Sequence, residues 1–254
     1  MKKKWLKVLS LVGFVQMILV NSLANILPIN GKTTGYLSDQ LKNLFTPQGA
    51  TFAIWGLIYL LLLIFILRIL IRPLNKKVEE LTTLFIINSL LNSSWIFAWH
   101  YEYLAISLVV MLGILINLIQ INQLLKNTQD WQDKITLQLP FTVYFGWISI
   151  ATIANVTAVL VGYGWNGFGI SEQVWTILIL IVGVVVALSQ IIYFRQIAYT
   201  FVILWAYFGI YGKHISFEGF NSNYPAIITA LICCLGILSL ASLGLVFSYY
   251  KNRS

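Results

Sequence analysis

Apolar positions along this chain gather into long runs broken by short polar segments. A bilayer-spanning helix needs roughly 20 mostly apolar residues. Runs of that length lie at about 5–27, 50–71, 81–99, 103–124, 136–161, 173–193, 196–212 and 225–249. The pattern therefore predicts eight transmembrane helices, the seventh being the shortest. The segments between them carry turn punctuation, as in Pro28-Ile29-Asn30-Gly31-Lys32 and Gly162-Tyr163-Gly164-Trp165-Asn166-Gly167. A Lys-rich head, the run Val8–Val20 and Ser22-Leu23-Ala24 also fit a cleaved leader, which would leave the other seven helices oriented as before.

Composition agrees with the runs. Of 254 residues, 59% are apolar and 9% are charged, against roughly 25% charged in a soluble domain. So few charges cannot cover a water-facing surface, which excludes a soluble fold, and the apolar content excludes disorder. The two cysteines, Cys233 and Cys234, are adjacent in an apolar run and read as small hydrophobes, with no bridge or metal knuckle implied. The expected fold class is all-α: a polytopic membrane helix bundle.

The net charge of +8 is a matter of topology before it is one of partners. With eight spans, 13 of the 16 Lys and Arg residues fall on the side of the termini, and Lys32, Lys42 and Lys213 fall on the other. The Asp and Glu residues divide evenly. This is the positive-inside pattern, and it predicts a multi-pass plasma-membrane protein with both termini cytoplasmic. No nucleic-acid partner is implied.

Charge is nearly absent within the spans, so no Asp/Glu/His relay is expected there. Trp, Tyr and Asn instead recur at helical spacing. Asn88, Asn92, Trp95 and Trp99 share one face of the third span. Tyr144, Trp147, Ala151 and Asn155 share a face of the fifth, and Phe52, Trp55 and Tyr59 a face of the second. At 1.5 Å per residue, Trp55 and Trp95 lie about 8 Å below the outer end of their helices and Asn155 about 9 Å. The three should share a layer in the outer half of the membrane. Interfacial aromatic belts and single interhelical amides are common, but a belt has no reason to align with amides on the same face. An aromatic-walled cavity with amide donors suits a flat apolar ligand with polar edges.

These same residues resemble the TspO/MBR family, the tryptophan-rich sensory proteins related to the mitochondrial translocator protein. Thr46-Pro47 followed by Phe52-Ala53-Ile54-Trp55-Gly56-Leu57-Ile58-Tyr59 is similar to the family's Pro-Pro stretch and Trp-x-x-x-Tyr. Asn92-Ser93-Ser94-Trp95 resembles its Asn-x-x-Trp, and Tyr144-Phe145-Gly146-Trp147 with Asn155 its Tyr-x-x-Trp…Asn. The resemblance covers about residues 5–165. It implies a five-helix bundle with a pocket near the outer mouth, roofed by the first loop. It also implies binding of porphyrins, haem intermediates or sterol-like aromatic ligands. The ligand-binding residues carried over are Trp55, Tyr59, Asn92, Trp95, Tyr144, Trp147 and Asn155. Gly49, Phe52 and Asn88 stand where the family usually has Trp, Pro and Gln, so the wall nearest the loop departs from the family pattern.

On this reading residues 1–165 form the TspO/MBR-like domain, and residues 166–254 add three helices that short family members lack. No nucleophile–base pair, His-Glu-x-x-His or phosphate loop is present, and the acidic residues all sit at helix ends, so no catalytic residue, cofactor or metal is expected. His100 and His214 read as solvated loop residues and not as ligands of a metal or haem iron. The expected activity is non-catalytic binding of a planar, tetrapyrrole-like ligand for transport or stress sensing. Stacking on Trp55, Trp95 and Trp147 would hold the ligand, Asn92 and Asn155 would meet its edges, and Pro28–Gln48 would form a lid. The expected partners are a porphyrin-like small molecule and the bilayer, with a homodimer as a further assembly. Porphyrin degradation and facilitated movement of another small solute are the alternatives a helical core leaves open.

Overall fold

The computed structural model describes residues 2–41 and 43–251. Lys42 and Arg253 of the charge count lie outside the described residues, as do the side chains of Lys2 and Lys251. Among the described residues nine helices follow one another: α1 (Lys2–Ile26), α2 (Thr34–Gln40), α3 (Ile54–Ile71), α4 (Lys76–His100), α5 (Leu104–Leu125), α6 (Trp131–Gly162), α7 (Glu172–Phe194), α8 (Ile197–Ile215) and α9 (Pro225–Lys251). All except α2 and α8 are long and apolar enough to cross a membrane. The short α2 lies in the loop after α1. Among the described residues there is no strand.

The shortest expected span, α8, has a length of 19 residues but falls below its neighbours in apolar content. Its polar side chains explain the shortfall. Tyr199, Thr200, Tyr207 and His214 are buried against neighbouring helices, while Phe201 and Phe208 face outwards. The helix starts beside Gln196, which meets Thr142 in the first half of α6, and ends at Lys213, which pairs with Asp39 of α2.

Helices α1, α4, α5, α6 and α3 pack in that order into a closed five-membered ring. Small residues let α1 and α4 approach: a Cβ on Gly13 would meet Ser89 Oγ at 2.5 Å. Helices α7, α8 and α9 form a second group, joined to the ring through α8 against α6. That contact also requires a glycine, since a Cβ on Gly146 would stand 3.0 Å from Val202 Cβ and 3.2 Å from the Tyr199 carbonyl. The half of the ring nearer the termini is filled by Phe65, Phe85 and Phe141, whose edge-on rings sit 5.0–6.1 Å apart.

Side chains define the helix ends. Asn75 Oδ1 accepts from Val78 N at 2.9 Å and starts α4, and Ser171 does the same for α7. Helix α7 stops at Arg195, whose φ of 52° is left-handed, so that α8 can turn straight back. Helix α6 begins at Trp131, upstream of the apolar run, and widens into a π turn over Lys134–Gln138. The cause is Pro140, which has no N–H to give to the Thr136 carbonyl and whose ring crowds it. Leu139 N instead reaches back to the Lys134 carbonyl.

The two faces are tied by ion pairs that follow the alternating topology. Lys3–Glu79 (2.8 Å) and Arg68–Asp133 (3.0 Å) lie on the face of the termini, and Lys32–Glu102 and Lys213–Asp39 on the opposite face. Cys233 and Cys234 are free thiols, the first exposed and the second buried.

Candidate functional site: an aromatic cavity under the first loop

The loop after α1 folds back over the open end of the five-helix ring. Asn30 Nδ2 donates to the His100 carbonyl at 3.0 Å, and Trp99 Nε1 donates to the Thr34 carbonyl at 3.4 Å. Leu37 of α2 packs on Trp99 and Ala158, so the roof is held to α4 and α6 by apolar contact as well. Further along, Leu44 and Phe45 are buried. There the Leu44 N–H donates to Glu172 at 3.1 Å and its carbonyl meets His214 Nε2 at 2.9 Å.

Beneath this roof lies a cavity of about 480 Å³. Phe52, Trp55, Tyr59 and Trp95 form its aromatic walls. Asn21, Asn25, Thr33 and Thr34 supply polar groups to its lining, and Gly49 leaves the side next to Phe52 open. The size lies within the roughly 300–1,000 Å³ range of small-molecule pockets, and mostly apolar walls with a few polar groups are their usual make-up.

Trp55 and Tyr59 follow each other by one helical turn and are stacked, with centroids 5.5 Å apart and planes inclined by 23°. Trp95 and Trp99, also one turn apart, stack at 5.5 Å and 16°. The i, i+4 spacing noted in the sequence is what allows each pair.

Of the seven residues singled out from the sequence, Trp55, Tyr59 and Trp95 line the cavity. Tyr144 and Trp147 stand behind it, both buried, with their edges against Trp55 at 5.7 Å and 6.4 Å. Asn92 and Asn155 also stand behind the wall, and their amides are engaged within the protein. Asn92 Oδ1 accepts from Asn21 Nδ2 at 2.7 Å and its Nδ2 donates to Tyr144 Oη at 2.7 Å, which links α1, α4 and α6. Asn155 Oδ1 accepts from Trp95 Nε1 at 2.9 Å and its Nδ2 donates to Ser107 Oγ at 3.0 Å, which links α4, α5 and α6. These amides set the angle of the indole and phenol rings and do not present free edges to a ligand.

The reading of both histidines as solvated is corrected. His100 and His214 are fully buried. His100 Nδ1 sits 2.8 Å from the Ile96 carbonyl, and the His214 ring packs on Phe220 and Tyr224. Each sits in the last turn of its helix, His100 against a carbonyl of α4 itself and His214 against the loop carbonyl of Leu44. Among the described residues no group of three or more His, Cys, Asp and Glu side chains is placed to hold a metal ion.

The polar groups of the cavity lining were not singled out from the sequence. Asn21 and Asn25 lie one turn apart on α1, the same amide spacing that marks Asn88 and Asn92, and that signal would have found them. The loop threonines carried no such periodicity. A wider, polar cleft of about 750 Å³ lies on the other side of the loop, with the Asp39–Lys213 pair in its lining, and none of the seven sequence residues lines it.

The family model for TSPO-like proteins matches residues 7–244. The chain belongs to the TSPO-like protein family. The match takes in the last three helices as well as the ring, so α7–α9 are part of what this TSPO-like chain shares with the family model. No curated protein and no solved structure matches the chain. The chain is thus a TSPO-like multi-pass membrane protein whose aromatic cavity sits under its first loop.

Asn155→Leu tests the wall behind the cavity. It removes two interhelical hydrogen bonds and leaves the Trp95 indole without its acceptor. At about 0.6–2 kcal/mol per bond in a membrane, the expected loss is on the order of 1–4 kcal/mol. Reversible unfolding in detergent measures it, and an unchanged midpoint would show that Asn155 does not hold Trp95.

Proposed function

We propose that this TSPO-like protein binds a flat, hydrophobic, tetrapyrrole-like ligand in the cavity beneath its first loop, for transport or stress sensing at the plasma membrane. The observation that carries the reading is one cavity walled by Phe52, Trp55, Tyr59 and Trp95, with Trp55 stacked on Tyr59 and Trp95 backed by Trp99, and with a few amide and hydroxyl groups in the same lining. A planar π-system of low charge would lie against Trp55 and Trp95, and its polar edges would meet Asn21, Asn25 and the loop threonines. Stacked and edge-on aromatic contacts favour such a ligand over a branched aliphatic one. The orientation proposed, with both termini cytoplasmic and the cavity opening outside, rests on the Lys and Arg bias.

Porphyrin quenching of Trp fluorescence in purified protein tests the reading. Trp95→Ala should weaken affinity by about 1–3 kcal/mol, the scale measured for planar bases stacked on aromatic side chains. A titration in which Trp95→Ala and the parent protein bind alike would remove Trp95 from the ligand wall.

A further inference from the structure

The opposite face of the bundle carries a second cavity, of about 300 Å³, where α6 begins and α7 turns into α8. Two departures from regular helix meet there. The π turn supplies Lys134, Ile135 and Gln138, and the left-handed break at Arg195 supplies Arg195 and Gln196. π turns recur at functional positions because they re-aim side chains out of the regular helical register.

The polar groups in this cavity are hydrogen-bond donors without a matching acid. No carboxylate lines it. The nearby acids are occupied: Asp133 pairs with Arg68, and Asp130 caps the start of α6 through Asp133 N at 2.9 Å. Among the described residues, neither Lys134 nor Arg195 has an ion-pair partner. The Gln196 amide is oriented by Thr142, whose Oγ1 donates to Gln196 Oε1 at 2.7 Å. Its Nε2 is buried and has no partner. An unpaired buried donor is costly, and this one belongs to a residue that lines the same cavity as two cations, a lining that suits an anion.

The rest of the wall is apolar. Ile135, Leu139 and Ile197 flank the donors, and Trp131 stands at the mouth with its ring exposed. Amphipathic indoles favour the headgroup level of a bilayer, and this face carries most of the basic residues. A free inorganic anion would have no use for the apolar side, whereas an amphiphile would use both.

We propose that this notch binds the phosphate of an anionic membrane lipid. Lys134, Arg195 and Gln196 Nε2 surround the phosphate, and an acyl chain lies along Ile135, Leu139 and Ile197. Basic pockets between transmembrane helices are suited to such headgroups by charge and by depth.

Purified protein in neutral detergent is titrated with short-chain phosphatidylglycerol, with phosphatidylcholine of the same chain length, and with inorganic phosphate, following the thermal unfolding midpoint. Phosphatidylglycerol should stabilise at concentrations at least tenfold lower than either of the others. The double variant Lys134→Gln/Arg195→Asn should lose that preference, asparagine being chosen because it tolerates the left-handed backbone. Gln196→Glu keeps the acceptor for Thr142 and places negative charge at the phosphate; it should lose the preference too, and it decides the matter should the double variant not fold. Equal stabilisation by phosphatidylcholine, equal stabilisation by phosphate alone, or an undiminished preference in the variants would each overturn the proposal.

Discussion

Trp55→Ala is expected to abolish saturable porphyrin quenching and to lower the stability of the protein in detergent. Trp55 is the hub of the site: it stacks on Tyr59 at 5.5 Å and receives the edges of Tyr144 and Trp147 at 5.7 Å and 6.4 Å. Each such ring pair contributes about 0.5–1.5 kcal/mol, so alanine forfeits roughly 2–4 kcal/mol if the neighbours do not collapse. The cavity would also lose one of its two planar walls. Trp55→Phe separates the two effects, since it keeps a ring against Tyr59 and should retain most of the stability with weaker binding. A Trp55→Ala protein that still saturates with porphyrin at the parent concentration would place the ligand elsewhere.

The second large effect is expected from a residue outside the five-helix ring. Gly209 of α8 lies against the 3-10 turn Gly49–Ala53, which carries Phe52 into the cavity and leads into Trp55. A Cβ at Gly209 would overlap Thr51 Oγ1 and stand 2.8 Å from Thr51 Cβ. The turn cannot simply retreat. Gln48 N donates to the Gly209 carbonyl at 3.1 Å, and Trp205 Nε1 donates to the Thr51 carbonyl at 2.9 Å. Thr51 itself is buried. Gly209→Ala should therefore cost about 1–3 kcal/mol, as overpacking in a close-packed interior does, and Gly209→Val more. Because the displaced turn is a wall of the cavity, porphyrin affinity should fall roughly tenfold, as a loss of about 1.4 kcal/mol gives. Gly236→Ala on α9, where a Cβ would meet nothing within 4 Å, is the control and should change neither reading. A Gly209→Val protein of parent stability and affinity would uncouple the last three helices from the site.

That coupling gives the three C-terminal helices a physical role. Helix α8 braces the turn that sets the depth of Phe52 and Trp55, and Lys213 and His214 at its end hold the loop at Asp39 and Leu44. The roof of the cavity is therefore pinned from both groups of helices.

Much of the site was legible in the sequence, for a reason that Trp95 illustrates. Residues four apart share a helix face whatever the helix packs against, so that Trp55 neighbours Tyr59 and Trp95 neighbours Trp99 was legible from spacing, while their stacking was left to the packing. The depth arithmetic held for the same cause: a constant rise per residue brings Trp95 Nε1 to Asn155 Oδ1 from two parallel helices, each counted back from its outer end. What an amide does once it arrives is not a matter of spacing. Asn92 and Asn155 looked like ligand donors because each faces inwards, yet facing inwards also brought Asn21, Tyr144 and Ser107 within reach. A buried polar group takes the partner nearest to it, and proximity between helices is a tertiary fact.

By itself, then, the sequence determined the membrane class, the all-helical fold, the family and the aromatic faces. These depend on run length, motif spacing and helical period, which are local along the chain. Only the tertiary structure decided which aromatic rings touch the cavity, that its polar groups come from α1 and the loop, that both histidines are buried, and that α8 supports the Gly49–Ala53 turn. Those outcomes depend on which helices are neighbours and how closely small residues such as Gly146 and Gly209 let them approach. Inside a bilayer no water competes for the buried polar groups, so helix order and close packing alone determine their partners.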